Sequence, residues 1–210
     1  MKLKSILSIS LFILISCTFF SGCYPEGPTY YEEFDVVYTN YKKDYSFKDK
    51  KLFTMPDKIV RITGNIGQGQ PPVFISEPYN TQIINRIKSN MIAKGYTFTA
   101  DTTIADFEIL TAAIEVENYQ VGYWYDYYYP WYYPGYGGGW YYPYPVVSSY
   151  TTGSIGINMV ERKNTSPNNQ NAVVWLSIIN GLVEGSNIDF SNRIDKCIDQ
   201  AYTQSPILNQ

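Results

Sequence analysis

Two stretches whose apolar residues recur at helical spacing, set among segments that alternate with a period of two, most narrow what this chain can fold into. From about Glu77 to Lys94, Ile83, Ile84, Ile87 and Met91 share one face, while Arg86, Lys88 and Asn90 point away. A stripe of this kind packs a helix onto a sheet. Ser76 is placed to be the N-cap, Pro78 falls in the first turn, where proline is tolerated, and Gly95 can take the left-handed stop. A second stripe, Phe190, Ile194, Cys197, Ile198 and Ala201, predicts a helix that Asn187 or Asp189 would cap. It runs to about Tyr202, and Ser205-Pro206 ends it.

Between and around these helices the pattern is that of strands. Phe34, Val36 and Tyr38 alternate with Asp35, Val37 and Thr39; Lys42 to Lys51 is charged and reads as a loop. Leu52 to Thr54, Ile59 to Ile62 and Tyr96 to Thr99 are short strands, and Asp106 to Tyr119 is a longer one. In the last, Leu110, Ala112, Ile114 and Val116 share a face, and Thr111, Ala113, Glu115 and Glu117 share the other. This predicts one covered face and one wet face. Tyr150 to Glu161 resumes the alternation, Asn164 to Asn171 is a polar turn, and the apolar run Ala172 to Val183 reads as a central strand. Gly64 to Pro72 is glycine-rich, but no Lys-Ser/Thr pair follows and Pro71-Pro72 forbids an immediate helix, so it is a connecting loop and not a phosphate cradle. The order predicts an α+β two-layer sandwich: a mostly antiparallel sheet, two helices on one face, and an aromatic insertion at 120–147 between adjacent strands.

The amino terminus predicts location. Lys2 and Lys4 precede an uncharged apolar run from Ser5 to Phe20, which ends in Phe20-Ser21-Gly22-Cys23. The run is short for a membrane span, which takes about 20 residues, and its flanks are those of a cleaved export signal. Residues 1–22 read as a lipoprotein signal, Cys23 as the lipidated residue, 23–33 as an extended tether and 34–208 as one domain. Cys17, after Leu14-Ile15-Ser16, also fits the pattern of a small residue then cysteine, with the more usual aliphatic residue three before it, but cutting there leaves Thr18-Phe19-Phe20 as a greasy end, whereas Cys23 leads into Tyr24-Pro25-Glu26-Gly27-Pro28. Cleavage before Cys23 leaves two cysteines. With Cys23 acylated, Cys197 stands alone on a helix stripe, where cysteine behaves as a small hydrophobe.

Composition narrows the chemistry. Residues 23–210 carry 14 Lys and Arg against 19 Asp and Glu, a mild acidic excess that excludes a nucleic-acid partner and electrostatic docking on anionic lipid. Membrane attachment would therefore be covalent, through several acyl chains, since one alone binds marginally. The sequence contains no histidine, so a catalytic thiol would have no imidazole base. Glu115 and Glu117 project from one strand face as a dyad would, but such pairs are ordinarily a solvated face. Asp101, Asp106 and Glu108 lack the regular spacing of a calcium loop. We expect no catalytic residues, no metal and no cofactor.

One segment stands apart. Tyr123 to Tyr144 holds 11 tyrosines and 3 tryptophans in 22 positions, with Asp126 as its one charge. Pro130, Pro134, Pro143 and Gly135, Gly137, Gly138 and Gly139 exclude a long helix. Four readings follow: rings covering the core, lying in membrane headgroups, stacking on peptidoglycan or other glycan sugars, or contacting an envelope partner or a second copy. On the binding readings the contact residues are Tyr123, Trp124, Tyr125, Tyr128, Trp131, Tyr132, Trp140 and Tyr141.

Several blocks carry a family resemblance: Phe34 to Thr39, Tyr45-Ser46-Phe47, Phe53 to Asp57, Gly95-Tyr96, and Ala105-Asp106-Phe107. Val173-Val174-Trp175, Asn180 to Gly185, Arg193-Ile194 and Gln204-Ser205-Pro206 complete the set. Together they resemble the bacterial lipoproteins of domain-of-unknown-function family 4136, from about Phe34 to Leu208. The resemblance implies a lipid-anchored envelope protein, here assigned to the outer membrane and facing the periplasm, with exposure at the cell surface as the alternative, and brings no catalytic motif.

Overall fold

The computed structural model describes residues 36–63, 71–115, 140–144, 153–165, 170–180 and 190–210. The chain enters on strand β1 (Val36–Tyr41), then the short β2 (Leu52–Thr54) and β3 (Val60–Ile62). Helix α1 (Tyr79–Ala93) leads into β4 (Thr97–Phe98) and β5 (Phe107–Ile114). Then come β6 (Trp140–Tyr141), β7 (Ser154–Thr165), β8 (Asn171–Asn180), helix α2 (Phe190–Thr203) and a 3₁₀ turn at Pro206–Leu208.

Among the described residues eight strands make one sheet in the order β1-β8-β7-β5-β2-β4, with β3 also on β5 and β6 also on β8. The four long strands pair antiparallel. β2, β3 and β4 join in parallel, because α1 carries the chain back across the sheet between them. The last long strand is central, as its apolar run predicted: β8 lies between β1 and β7 and is buried from Asn171 to Ile179. Its pairing slips by one residue between Met159–Trp175 and Val160–Val173, so Val174 is the extra residue of a bulge.

Both helices lie on one face, as expected. Ile83, Ile84, Ile87 and Met91 of α1 and Ile194, Cys197, Ile198 and Ala201 of α2 pack with Phe107, Ile109, Ile157, Met159 and Trp175. Cys197 thus sits in the stripe as a buried apolar residue. The helices run parallel. Gln82 Nε2 donates to Asp195 Oδ1 at 2.9 Å, Arg86 pairs with Asp199, and Lys94 Nζ donates to Asn209 Oδ1 at 2.8 Å. At the C-terminal end the fully buried Trp175 donates from Nε1 to Ser205 Oγ at 2.8 Å, and Ser205 Oγ donates to the Ala201 carbonyl. Trp175 also packs on Tyr202, with ring centroids 5.3 Å apart.

Three expectations are corrected. The predicted wet face of β5 is the helix side: Phe107 and Ile109 belong to the helix-side core, and Thr111 is 3% exposed. The opposite face is covered too, with Leu110, Ala112, Val160, Leu176 and Ile178 buried. Small Ala and Thr side chains suit either environment, so their alternation with larger apolar residues did not mark a solvated side. Ser76 is not the N-cap. Pro78 holds that position after a cis Glu77–Pro78 bond, and the Glu77 carboxylate accepts the Thr81 N–H at 3.2 Å instead. β7 runs on to Thr165, into the stretch expected to turn. Gly95 does take the left-handed stop, at φ +96°.

Candidate functional site

The described end of the aromatic segment meets the sheet on both sides. β6 pairs in parallel with Asn171 and Ala172 of β8. Tyr141, half-buried, packs against the helix-side core. Its neighbour Tyr142 turns to the opposite face, where Asn158 Nδ2 donates to its hydroxyl at 2.8 Å. Tyr144 meets the Tyr142 ring edge-on, centroids 6.4 Å apart. Burial pushes both phenols above their ordinary pKa, the Asn158 bond partly offsetting this at Tyr142. Of the eight named aromatic candidates, Tyr141 and the backbone of Trp140 are thus placed. Tyr123, Trp124, Tyr125, Tyr128, Trp131 and Tyr132 lie outside the described residues, as do Cys23, the tether and Glu117.

The acidic candidates separate onto different partners. Glu115 accepts a fork from Arg61, Nε to Oε1 at 2.6 Å and Nη2 to Oε2 at 2.8 Å. Asp106 accepts the backbone N–H groups of Lys51 and Leu52, both at 2.9 Å, and Lys163 Nζ at 2.6 Å. Burial alone would raise its carboxyl, but these donors outweigh that and hold it below its ordinary value. Glu108 pairs with Arg162 at 2.5 Å in a buried setting. Asp101 accepts from Thr103, through backbone and hydroxyl. Nearby, Lys50 bridges Glu161 and the Tyr45 hydroxyl, and burial, then the Glu161 charge, drives that phenol upward. Apart from the local Asp101–Thr103 turn and the Lys50–Tyr45 bond, each contact joins segments far apart in the chain.

A cleft of about 390 Å³ opens where both helices begin. Ile83, Ile114, Ile155 and Ile194 are its buried residues; Phe74, Ile75, Tyr79, Ala113 and Phe190 also line it. Tyr79 and Phe190, the first residues of the two helices, meet edge-on at 4.9 Å. Its polar residues are Arg61, Ser76 and Glu115. Local pairing positions them: β3 lies parallel to β5 with Arg61 opposite Ala113, and Glu115 N donates to the Ile62 carbonyl at 2.9 Å. On the other edge of β3, Arg61 N donates to the Val73 carbonyl at 2.7 Å and Ile75 N to the Ile59 carbonyl at 3.1 Å. Sequence reasoning singled out neither Arg61 nor this cleft. The available signal was one cation inside the apolar triplet Val60-Arg61-Ile62.

The family model described as Domain of unknown function (DUF4136) matches residues 37–207. The chain belongs to the DUF4136 family. A crystal structure of a DUF4136 family protein from Bacteroides thetaiotaomicron superposes with a TM-score of 0.68 at 35% identity, covering 83% of this chain and 97% of that one. A PelC dodecamer from Paraburkholderia phytofirmans gives a TM-score of 0.40 at 11% identity, over the same shares of the two chains. No curated protein matches this chain. The resemblance read from the sequence is therefore correct as to family, and DUF4136 carries no assigned activity.

Proposed function

We propose that this DUF4136 protein is a non-catalytic, lipid-anchored component of the outer membrane. On this reading it is acylated on Cys23, faces the periplasm, and contacts an envelope partner or a second copy through its aromatic segment. The observation that carries the reading is compositional: an apolar export run ending at Gly22-Cys23, followed later by 14 aromatic rings between Tyr123 and Tyr144 with one charge among them. Tyr and Trp dominate the residues that supply binding energy at protein interfaces. Tyr141 and Tyr142 support the reading by seating one end of the segment on the sheet. Against catalysis stand the absence of histidine from the sequence and the pairing of the candidate acids Glu115, Asp106 and Glu108 with cations.

The test is photocrosslinking in intact cells from a photoreactive residue replacing Trp131, with a Cys23→Ala variant fractionated alongside. The reading expects a discrete protein adduct at position 131 and release of Cys23→Ala from the membrane fraction. Adducts to peptidoglycan alone would replace the partner reading with a glycan-binding one. An amino terminus found unacylated by mass spectrometry would end the anchoring claim.

A further inference from the structure

The cleft at the start of both helices has a consistent chemistry. Its interior is aliphatic and aromatic, and its volume falls in the range of small-molecule pockets, about 300–1,000 Å³. Its one cation, Arg61, keeps donors beyond those it gives to Glu115. Arg61 is 44% exposed and gives Nε and one Nη2 hydrogen to Glu115, so of the five N–H groups of a guanidinium three are not used in that pair. The exposed Ser76 adds a hydroxyl. Each Glu115 oxygen accepts from Arg61, and the Glu77 oxygens, outside the cleft, accept from Asn80 and Thr81.

Apolar walls below the uncommitted edge of a guanidinium match an amphiphile whose polar end is an oxyanion, and the planar fork of arginine suits a carboxylate. We propose that this cleft binds a long-chain fatty acid, its acyl chain against Ile83, Ile155 and Ile194 and its carboxylate on the outer edge of Arg61. The proposal is independent of acylation at Cys23, since the ligand is a separate molecule.

The experiment uses the full chain, a fatty acid carrying a diazirine in its tail, and peptide mapping of the adducts. Adducts are expected on the Phe74–Tyr79 and Phe190–Ile194 peptides, and unlabelled fatty acid should compete for them. Arg61→Gln should weaken apparent affinity about tenfold, in line with losing a charge-assisted hydrogen bond. The matching diazirine alcohol should bind without dependence on Arg61. Ile83→Trp, which fills the cleft from α1, should abolish labelling. Ile194→Phe repeats that test from α2, so a folding defect in one variant leaves the other to decide. Adducts scattered over the surface, labelling unchanged in the filled variants, or equal Arg61 dependence of acid and alcohol would each overturn the proposal.

Discussion

Replacing Tyr142 by phenylalanine keeps the ring and removes one oxygen, so it isolates what seats the aromatic segment. The hydroxyl accepts from Asn158 Nδ2 at 2.8 Å, and Asn158 is 3% exposed on the face away from the helices. Without that oxygen the amide loses a partner where water has little access. A buried donor left unsatisfied costs about 1–3 kcal/mol. A chain of this size shifts in Tm by about 2–4 °C per kcal/mol. The midpoint of the range, about 2 kcal/mol, gives a fall of about 4–8 °C. Asn158→Leu should cost a similar amount by removing the same hydrogen bond from its other end. The double variant, with both ends apolar, should recover part of the loss, giving a coupling of about 1 kcal/mol or more between neighbouring groups. Chemical denaturation of the four proteins at neutral pH measures all of this. If Tyr142→Phe lies within about 0.3 kcal/mol of the parent, or the two substitutions add without coupling, Tyr142 does not seat the segment on the sheet and the reasoning fails.

Further outcomes follow from groups described above. Asp106 and Asp199 are held below their ordinary pKa by their cation and amide donors, which outweigh burial. A carboxyl depressed by folding contributes stability above its unfolded value, about 3.9, and that stability drains as pH falls through the folded one. Acid titration of the denaturation midpoint should therefore drop below about pH 4, less steeply in Asp199→Asn. An equal slope in that variant would refute the assignment. At the alkaline end burial pushes the Tyr96 phenol up from 10.0 to about 12. The stability it contributes is complete below pH 10 and lost across that interval, so tyrosinate absorbance should rise together with unfolding; ionisation of the buried phenols while the fold stays intact would contradict it. Gly95→Ala places a Cβ 2.8 Å from Gln210 Cβ on a backbone at φ +96°. The left-handed conformation alone costs about 1–2 kcal/mol for an L-residue, so Tm should fall by at least about 2–4 °C. No change in thermal melting would refute the tight approach.

The helices were legible because their evidence is local. Ile83, Ile87 and Met91, like Ile194, Ile198 and Ala201, announce a buried face by spacing alone. The paired edge of β2, β3 and β4 was not, because three residues such as Leu52-Phe53-Thr54 read the same in parallel or antiparallel company. The second buried face of β5 escaped for a related reason. Tyr142, which reaches that face of the sheet at Asn158, lies 28 positions beyond the strand's end at Ile114, and no period within Phe107–Ile114 reports a distant ring. The cleft was equally hidden. Arg61, Ser76, Tyr79 and Phe190 meet only after β3, α1 and α2 have assembled, and Ser76 was already explained, wrongly, as a cap. The family was legible because its blocks lie in the packed parts of the chain.

Val36 pairs with Asn180, and so on down the whole length of β1. The opening strand therefore has no partner on the sheet until almost everything after it has been synthesised. Contacts so far apart in the chain are slow to form, since loop closure is costly before any pairing rewards it. A polypeptide leaving the ribosome amino end first must hold Val36–Tyr41 unclaimed until β8 exists. That delay would leave the chain open to a translocase or chaperone, and refolding from denaturant should show β1 docking only once the β7–β8 hairpin is in place.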